Sequence, residues 1–142
     1  MRPFFISCLE PAAKLYRLND GRFQLIGHGG ITPLMCGFGY ILMAAPLADF
    51  IKAIGVERID IERAVILDRR QNKEYHTHHS LTVGDTFSSS EIDDLNLDGD
   101  RLFIMGNEYL FASPSLKSKL ANGLFKYLEF GEGLYGFAGS AA

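Results

Sequence analysis

Apolar and polar residues alternate in short blocks along most of this chain, and their spacing predicts strands. Lys14–Leu18 and Phe23–Ile26 alternate with a period of two around Asn19-Asp20-Gly21, a combination typical of a β-hairpin. Later apolar runs predict further strands, which are the region of Val56 to Ile61, then Ala64–Asp68, Glu74–Val83, Arg101–Met105, Tyr109–Phe111 and Leu124–Phe130.

Two segments have the spacing and the end signals of helices. The first is Pro46–Ile54, in which apolar residues recur at helical spacing and a proline suits the first turn. The second is Pro114–Asn122, preceded by Ser113, a residue favoured at the N-cap. Gly55 and Gly123 follow the two segments, and we expect each to end its helix in the left-handed conformation.

Length and composition fit one ordinary globular domain. The chain has 142 residues, of which 47% are hydrophobic and 22% charged, enough for a core that needs no disulfide or structural metal. We therefore expect a single α+β domain over residues 1–142, with an antiparallel or mixed sheet and two short helices. The Gly- and Ala-rich tail, residues 131–142, is expected to be loosely ordered.

The charge and hydropathy patterns exclude some partners. The net charge is −3, and no basic stripe suggests a nucleic-acid partner. The most apolar segment, Ile31–Phe50, contains two prolines and two glycines and predicts buried structure, not a membrane span. Met1–Glu10 is too short an apolar run for a secretion signal. We expect a cytoplasmic protein with no membrane partner, in which Cys8 and Cys36 are reduced thiols.

His76-Thr77-His78-His79 is the most chemical-looking stretch of the chain. On a strand, His76 and His78 would share one face, and such a pair can supply two ligands to a transition metal. The sequence places no third ligand near them. We therefore expect no bound metal and no cofactor, with a small metal-dependent enzyme using His76 and His78 as an alternative.

Asp94–Asp100 matches the first half of a calcium-binding loop, D-x-N-x-D-G. The twelfth position of such a loop supplies a bidentate carboxylate, but here it is Met105. The pattern is typical of a hairpin turn at Asp98-Gly99, and a weak cation site is the alternative.

Five acids lie within the ten residues from Glu91 to Asp100, which include this loop. A run of this kind forms either a solvated loop or an acidic patch that meets a basic cleft on a partner, where complementary charge speeds association. The predicted partner-binding residues are Glu91, Asp93, Asp94, Asp98 and Asp100.

Three stretches resemble the immunity proteins of bacterial polymorphic toxin systems. The first is Leu47–Glu57, a helix that ends at a glycine before a strand. The second is Ala64–Asp68 followed by Lys73–His76, and the third runs from Leu110 through a Ser-capped helix to Phe130. The resemblance implies a small cytosolic protein that blocks a toxin by binding it. It carries over no catalytic residue and no toxin-binding residue.

The sequence contains no complete catalytic motif, so we expect a binding protein and not an enzyme. The leading hypothesis is an immunity protein that neutralises a cognate toxin by stoichiometric binding. The metal-dependent enzyme and a non-inhibitory assembly subunit are the alternatives.

Overall fold

The computed structural model describes residues 1–134, which form eleven strands, two α-helices and one 3-10 turn. The strands are β1 (Phe4–Cys8), β2 (Lys14–Arg17), β3 (Phe23–Ile26), β4 (Leu34–Gly37), β5 (Tyr40–Ala44), β6 (Ile59–Asp68), β7 (Lys73–Val83), β8 (Thr86–Phe87), β9 (Leu102–Met105), β10 (Tyr109–Ala112) and β11 (Leu128–Glu132). The helices are α1 (Ala45–Ile54) and α2 (Pro114–Ala121).

The smaller sheet joins the two ends of the described chain. Its order is β11-β1-β10-β9-β8, with β8 and β9 parallel and the other neighbours antiparallel. Phe4 of β1 lies opposite Ala112 on one side and Glu132 on the other. The first and last strands therefore depend on each other for their hydrogen bonds.

The larger sheet is strongly curled. Its order is β2-β3-β6-β7-β5-β4, so a flat sheet would hold β2 and β5 roughly 19 Å apart. The backbone N–H of Leu15 on β2 nevertheless donates to the hydroxyl of Tyr40 on β5 at 3.1 Å. An apolar cluster with members from all six strands fills the curl, and it includes Leu15, Phe23, Met35, Leu42, Ile66 and Tyr75.

A second core lies between the sheets and holds them together with the helices. Its buried members come from both sheets and from α1 and α2, and they include Ile6, Leu34, Met43, Leu47, Ile51, Leu81, Leu102, Leu110, Leu116 and Leu120. Because the two sheets share this core, the structure is one α+β unit with mixed sheets and two short helices. The predicted fold class is confirmed.

The first helix was correctly predicted. Leu47, Ala48 and Ile51 are buried on one face of α1. Gly55 follows with φ 83°, and its N–H donates to the carbonyl of Lys52 at 3.0 Å. The left-handed conformation that was expected of Gly55 is confirmed.

The second helix ends differently from the prediction. Asn122, with φ −86°, caps α2, and Gly123 is outside the left-handed region, so the expectation for Gly123 was wrong. Ser113 precedes the helix but does not cap it with its side chain. Neither helix is long and apolar enough to cross a bilayer, nor is any other helix within residues 1–134.

The chain after α2 also corrects the prediction. The final strand was expected at Leu124–Phe130, but β11 begins at Leu128 and continues through Gly131 to Glu132, where it pairs with β1. Gly131 and Glu132, the first two residues of the tail predicted at 131–142, thus belong to a strand. Gly133 and Leu134 follow as a turn, and residues 135–142 of the predicted tail lie outside the described part of the chain.

Candidate functional site

The five predicted acids lie in the segment from Glu91 to Asp100, which we call the acidic loop, and Glu91 begins it. Its Oε1 accepts hydrogen bonds from the backbone N–H of Ser88 at 2.8 Å and from the hydroxyl of Ser88 at 2.9 Å. These bonds, the backbone one first, hold the pKa of Glu91 below its usual range. Glu91 is thus an exposed acid that also orders the start of the loop.

Asp93 and Asp100 are each paired with a cation from another part of the fold. Arg2 donates to Asp93 at 2.8 Å, and both side chains are exposed. Lys119 and Ser115 of α2 donate to the two oxygens of Asp100. Lys119 is the main cause of the lowered pKa of Asp100, and Ser115 adds to it. These two acids tie the loop to the N-terminus and to α2.

Of the five predicted acids, Asp94 and Asp98 are the two whose carboxylates have no hydrogen bond or ion pair within residues 1–134. The amide of Asp98 instead donates to the side chain of Asn96 at 3.0 Å. With Asp100 held by α2 and Met105 buried in β9, the ligand set of a calcium loop is not assembled here. The role of the five acids in partner binding stays a prediction.

The underside of the acidic loop belongs to the core. Ile92 is buried, and Leu95 and Leu97 pack beside it on the outer face of the smaller sheet. They cover aromatic rings of that sheet, of which Phe87 and Phe111 are 5.1 Å apart between centroids. The loop therefore contributes apolar side chains to the core as well as exposed acids.

An apolar groove lies between the start of α1 and the segment that follows α2. Its volume is about 670 Å³, and it is lined by Pro33, Ala44, Pro46, Asp49, Phe50, Gly123, Leu124, Phe125 and Tyr127. Leu124 is 92% exposed. The ring of Phe50 meets that of Phe125 edge to face, with 5.0 Å between centroids, which fixes the floor of the groove.

A smaller polar cleft lies at the other end of α1. Its volume is about 240 Å³, and Ile54, Gly55 and Glu57 line it together with the loop from Asp98 to Arg101. Ten helical residues span about 15 Å, so the apolar groove and the acidic loop are about one helix length apart. The apolar groove and the polar cleft thus lie at opposite ends of α1, and we call the surface that includes both of them the α1 face.

The histidines do not form the metal pair considered from the sequence. His78 is buried, and its Nε2 donates to the carbonyl of Thr32 at 2.8 Å while its Nδ1 accepts from the hydroxyl of Thr77 at 2.8 Å. His76 is exposed and lies 3.5 Å from Glu74. No group of three or more His, Cys, Asp or Glu residues within residues 1–134 is arranged to hold a metal ion. The imidazole of His78 is thus part of the buried hydrogen-bond network, whereas that of His76 lies at the surface beside Glu74.

Cys8 and Cys36 are both free thiols, as expected. Although 28 residues separate them in sequence, they line one cleft of about 210 Å³ together with Glu10 and Glu108. The cleft follows the seam where β1 of one sheet passes β4 of the other.

The apolar groove is the feature that sequence reasoning missed. Pro33, Phe50 and Tyr127 come from three separate segments, and no local pattern indicates that they converge. One local signal exists, because Leu124 is a large apolar residue directly after the Asn122-Gly123 end of a helix. The predicted strand Leu124–Phe130 instead placed Leu124 in a sheet.

Comparison of the chain with protein-family models, with curated proteins and with solved structures gave no match. The geometry of the α1 face is therefore the main guide to function. Its features are an open apolar groove at one end of α1 and the exposed acids Glu57 and Asp98 at the other.

Proposed function

We propose that this protein binds another protein stoichiometrically and that the apolar groove is the centre of the contact. The observation that carries the proposal is Leu124, a large apolar side chain that is 92% exposed beside the rings of Phe50 and Phe125. Burying one leucine contributes about 1.5–3 kcal/mol. A contiguous apolar surface of this kind marks an interaction site more often than a scattered exposed residue does.

The charges on the α1 face indicate the chemistry of the partner. Asp49 is exposed and is the one charged residue that lines the groove within the described chain. Glu57 and Asp98 line the polar cleft at the other end of α1. A partner segment with an apolar anchor for the groove and basic residues on its flank would complement this face.

The resemblance to immunity proteins makes a toxin the expected partner. Neutralisation by binding needs no catalytic group, and basic residues are common where a toxin acts on nucleic acid. The metal-dependent alternative is less well supported, because both ring nitrogens of His78 are already engaged with Thr32 and Thr77. An assembly subunit would use the same groove without inhibiting its partner.

The test uses Leu124→Glu, with Phe38→Glu as the matched control. Phe38 is 75% exposed and lies at the closed end of the β4–β5 hairpin, away from the groove. The product of the adjacent gene is titrated into each variant by calorimetry, and its activity is assayed with and without the protein. We expect one-to-one binding that Leu124→Glu weakens at least about tenfold and Phe38→Glu leaves unchanged.

The outcomes separate the parts of the proposal. Equal binding by Leu124→Glu and the wild type would remove the groove from the interface. Binding without loss of the partner's activity would favour the assembly subunit. No binding by the wild-type protein would contradict the immunity hypothesis. Thermal unfolding of both variants checks that the fold is intact.

A further inference from the structure

The hairpin of β6 and β7 contains a β-bulge between Ala64 and Ile66. Regular pairing runs through Ala64 opposite His78 and resumes at Ile66 opposite Tyr75. His76 and Thr77 therefore lie opposite Val65 alone. Bulges redirect side chains and occur often beside functional sites.

A cleft of about 320 Å³ opens at this bulge. It is lined by Arg63, Ala64, Val65, His76, His78 and His79. Arg63 lies directly opposite His79 in the ladder, so the two side chains share a face and their Cβ atoms are about 4.5–5.5 Å apart. The register thus brings a guanidinium and an imidazole to one side of the hairpin.

Two of the residues that line the cleft carry a polar group without a partner. Nδ1 of His79 is buried without a hydrogen bond, which is unusual because buried polar atoms are nearly always paired. Arg63 is exposed and makes no hydrogen bond or ion pair within residues 1–134. His78 is not available, since Thr32 and Thr77 occupy both of its nitrogens.

The lining selects the charge of a ligand. No carboxylate is among the described residues that line the cleft, and the guanidinium of Arg63 repels a cation. Glu74 lies beside His76, but it is held by Arg22 at 2.9 Å. Guanidinium groups match the oxygens of phosphate and carboxylate in two-pronged hydrogen bonds, and a neutral imidazole can donate through Nδ1–H.

We propose that this cleft binds a small molecule through its phosphate or carboxylate group, with Arg63 and His79 as the donors. Arg63 supplies the charge and the paired N–H groups, and His79 donates its otherwise unpartnered Nδ1–H. The volume lies at the lower end of the range for small-molecule pockets, so it has room for a ligand larger than the oxyanion alone. The site does not depend on the protein-binding groove.

The test is a titration of the isotope-labelled protein with inorganic phosphate and, separately, with acetate. Sodium chloride keeps the ionic strength constant, so that screening does not vary. NMR follows the imidazole signals of His79 and the amides of Val65 and Thr77. The variants are Arg63→Gln and Arg63→Lys, and the control is Arg69→Gln, an exposed arginine of the same hairpin that is outside the cleft.

We expect saturable shifts at all three residues, a loss of affinity of at least about tenfold in Arg63→Gln and a smaller loss in Arg63→Lys. Arg69→Gln should match the wild type. Tighter binding of phosphate than of acetate would identify a phosphate ligand, and the reverse order a carboxylate. Shifts that do not saturate with either anion, or equal affinity in Arg63→Gln and Arg69→Gln, would overturn the proposal. Because Arg63 is exposed, its variants should fold, and thermal unfolding verifies this.

Discussion

At the scale of single residues, the neighbouring histidines of β7 show how position decides chemistry. The carbonyl of Thr32 can only accept, so Nε2 of His78 carries the proton and Nδ1 accepts from Thr77. This fixes one neutral tautomer. Burial is the main cause of the lowered pKa of His78. The Thr32 carbonyl opposes the shift, and the charge of His79 adds to it.

We expect His78 to make stability fall at mildly acidic pH. The unfolded chain protonates this residue near pH 6.5, whereas the native protein does so only at lower pH. The unfolded state therefore binds more protons below pH 6.5, and the native state loses up to about 1.4 kcal/mol per pH unit until its own pKa is reached. Urea unfolding between about pH 7.5 and 5.5 measures this loss.

His78→Gln should remove this part of the pH dependence, while the exposed His28→Gln retains the wild-type slope. The glutamine amide can still donate to Thr32, although we expect a loss of about 1–3 kcal/mol at neutral pH from the altered hydrogen bonds. Identical slopes in His78→Gln and the wild type would show that another group titrates.

At the scale of the elements, the two helices end by different means. Gly55 has φ 83°, and no atom beyond its chain neighbours lies within 4 Å of the position that a Cβ would take. A side chain there would therefore be disfavoured by backbone conformation alone. Gly123 has an ordinary φ, but a Cβ would lie 3.2 Å from the ring of Phe125. Backbone conformation thus favours glycine at position 55, whereas the space beside Phe125 favours it at position 123.

Gly55→Val should lower the free energy of unfolding by more than about 1 kcal/mol, since a β-branched residue resists a positive φ. Gly123→Ala should cost less, because only a small movement of the Phe125 ring is needed. Chemical denaturation of both variants measures the difference. If Gly55→Val were as stable as the wild type, α1 would have to end in another way.

The acidic loop is a second element whose two sides differ. Its carboxylates point to water or to nearby cations, while Ile92 is buried against the aromatic rings of the smaller sheet. The loop is therefore anchored by apolar packing.

Ile92→Ala should destabilise the protein by about 2–5 kcal/mol, as expected for a truncated core side chain. Leu124→Ala is the control, because Leu124 is almost fully exposed and should change stability by less than about 0.5 kcal/mol. Thermal and urea unfolding give both values. A cost below that of the control would show that the loop does not pack in solution.

At the scale of the whole molecule, the two sheets share one core, and α1 lies across it with the groove at one end and the acidic loop at the other. An apolar anchor and an acidic flank influence binding in different ways. The apolar contact mainly sets the dissociation rate. Exposed charges raise the association rate, and this effect weakens as the salt concentration rises.

Replacing Asp93, Asp94 and Asp98 by Asn should slow association with the partner by about tenfold at low ionic strength and flatten its salt dependence. The control replaces three exposed acids elsewhere, Glu10, Asp60 and Glu62, by their amides. Association rates are measured against ionic strength. Equal rates and slopes for the two triple variants would remove the acidic loop from the interface.

The sequence by itself determined the features that depend on near neighbours. Asn19-Asp20-Gly21 specified a hairpin, and Gly55 ended α1, because turn and cap conformations depend on a few adjacent residues. Apolar runs, which are also local, predicted strands in the regions of β6 and β7, although β6 is one strand where two were expected.

Only the tertiary structure decided which distant segments meet. Leu124 looked like a strand residue but lies exposed beside Phe50, and Phe4 became a strand residue because Ala112 and Glu132 pair with it from far along the chain. The bulge that sets His79 opposite Arg63 likewise depends on the register between two strands. Such contacts are fixed by the packing of a shared core, a property of the whole chain that no local window contains.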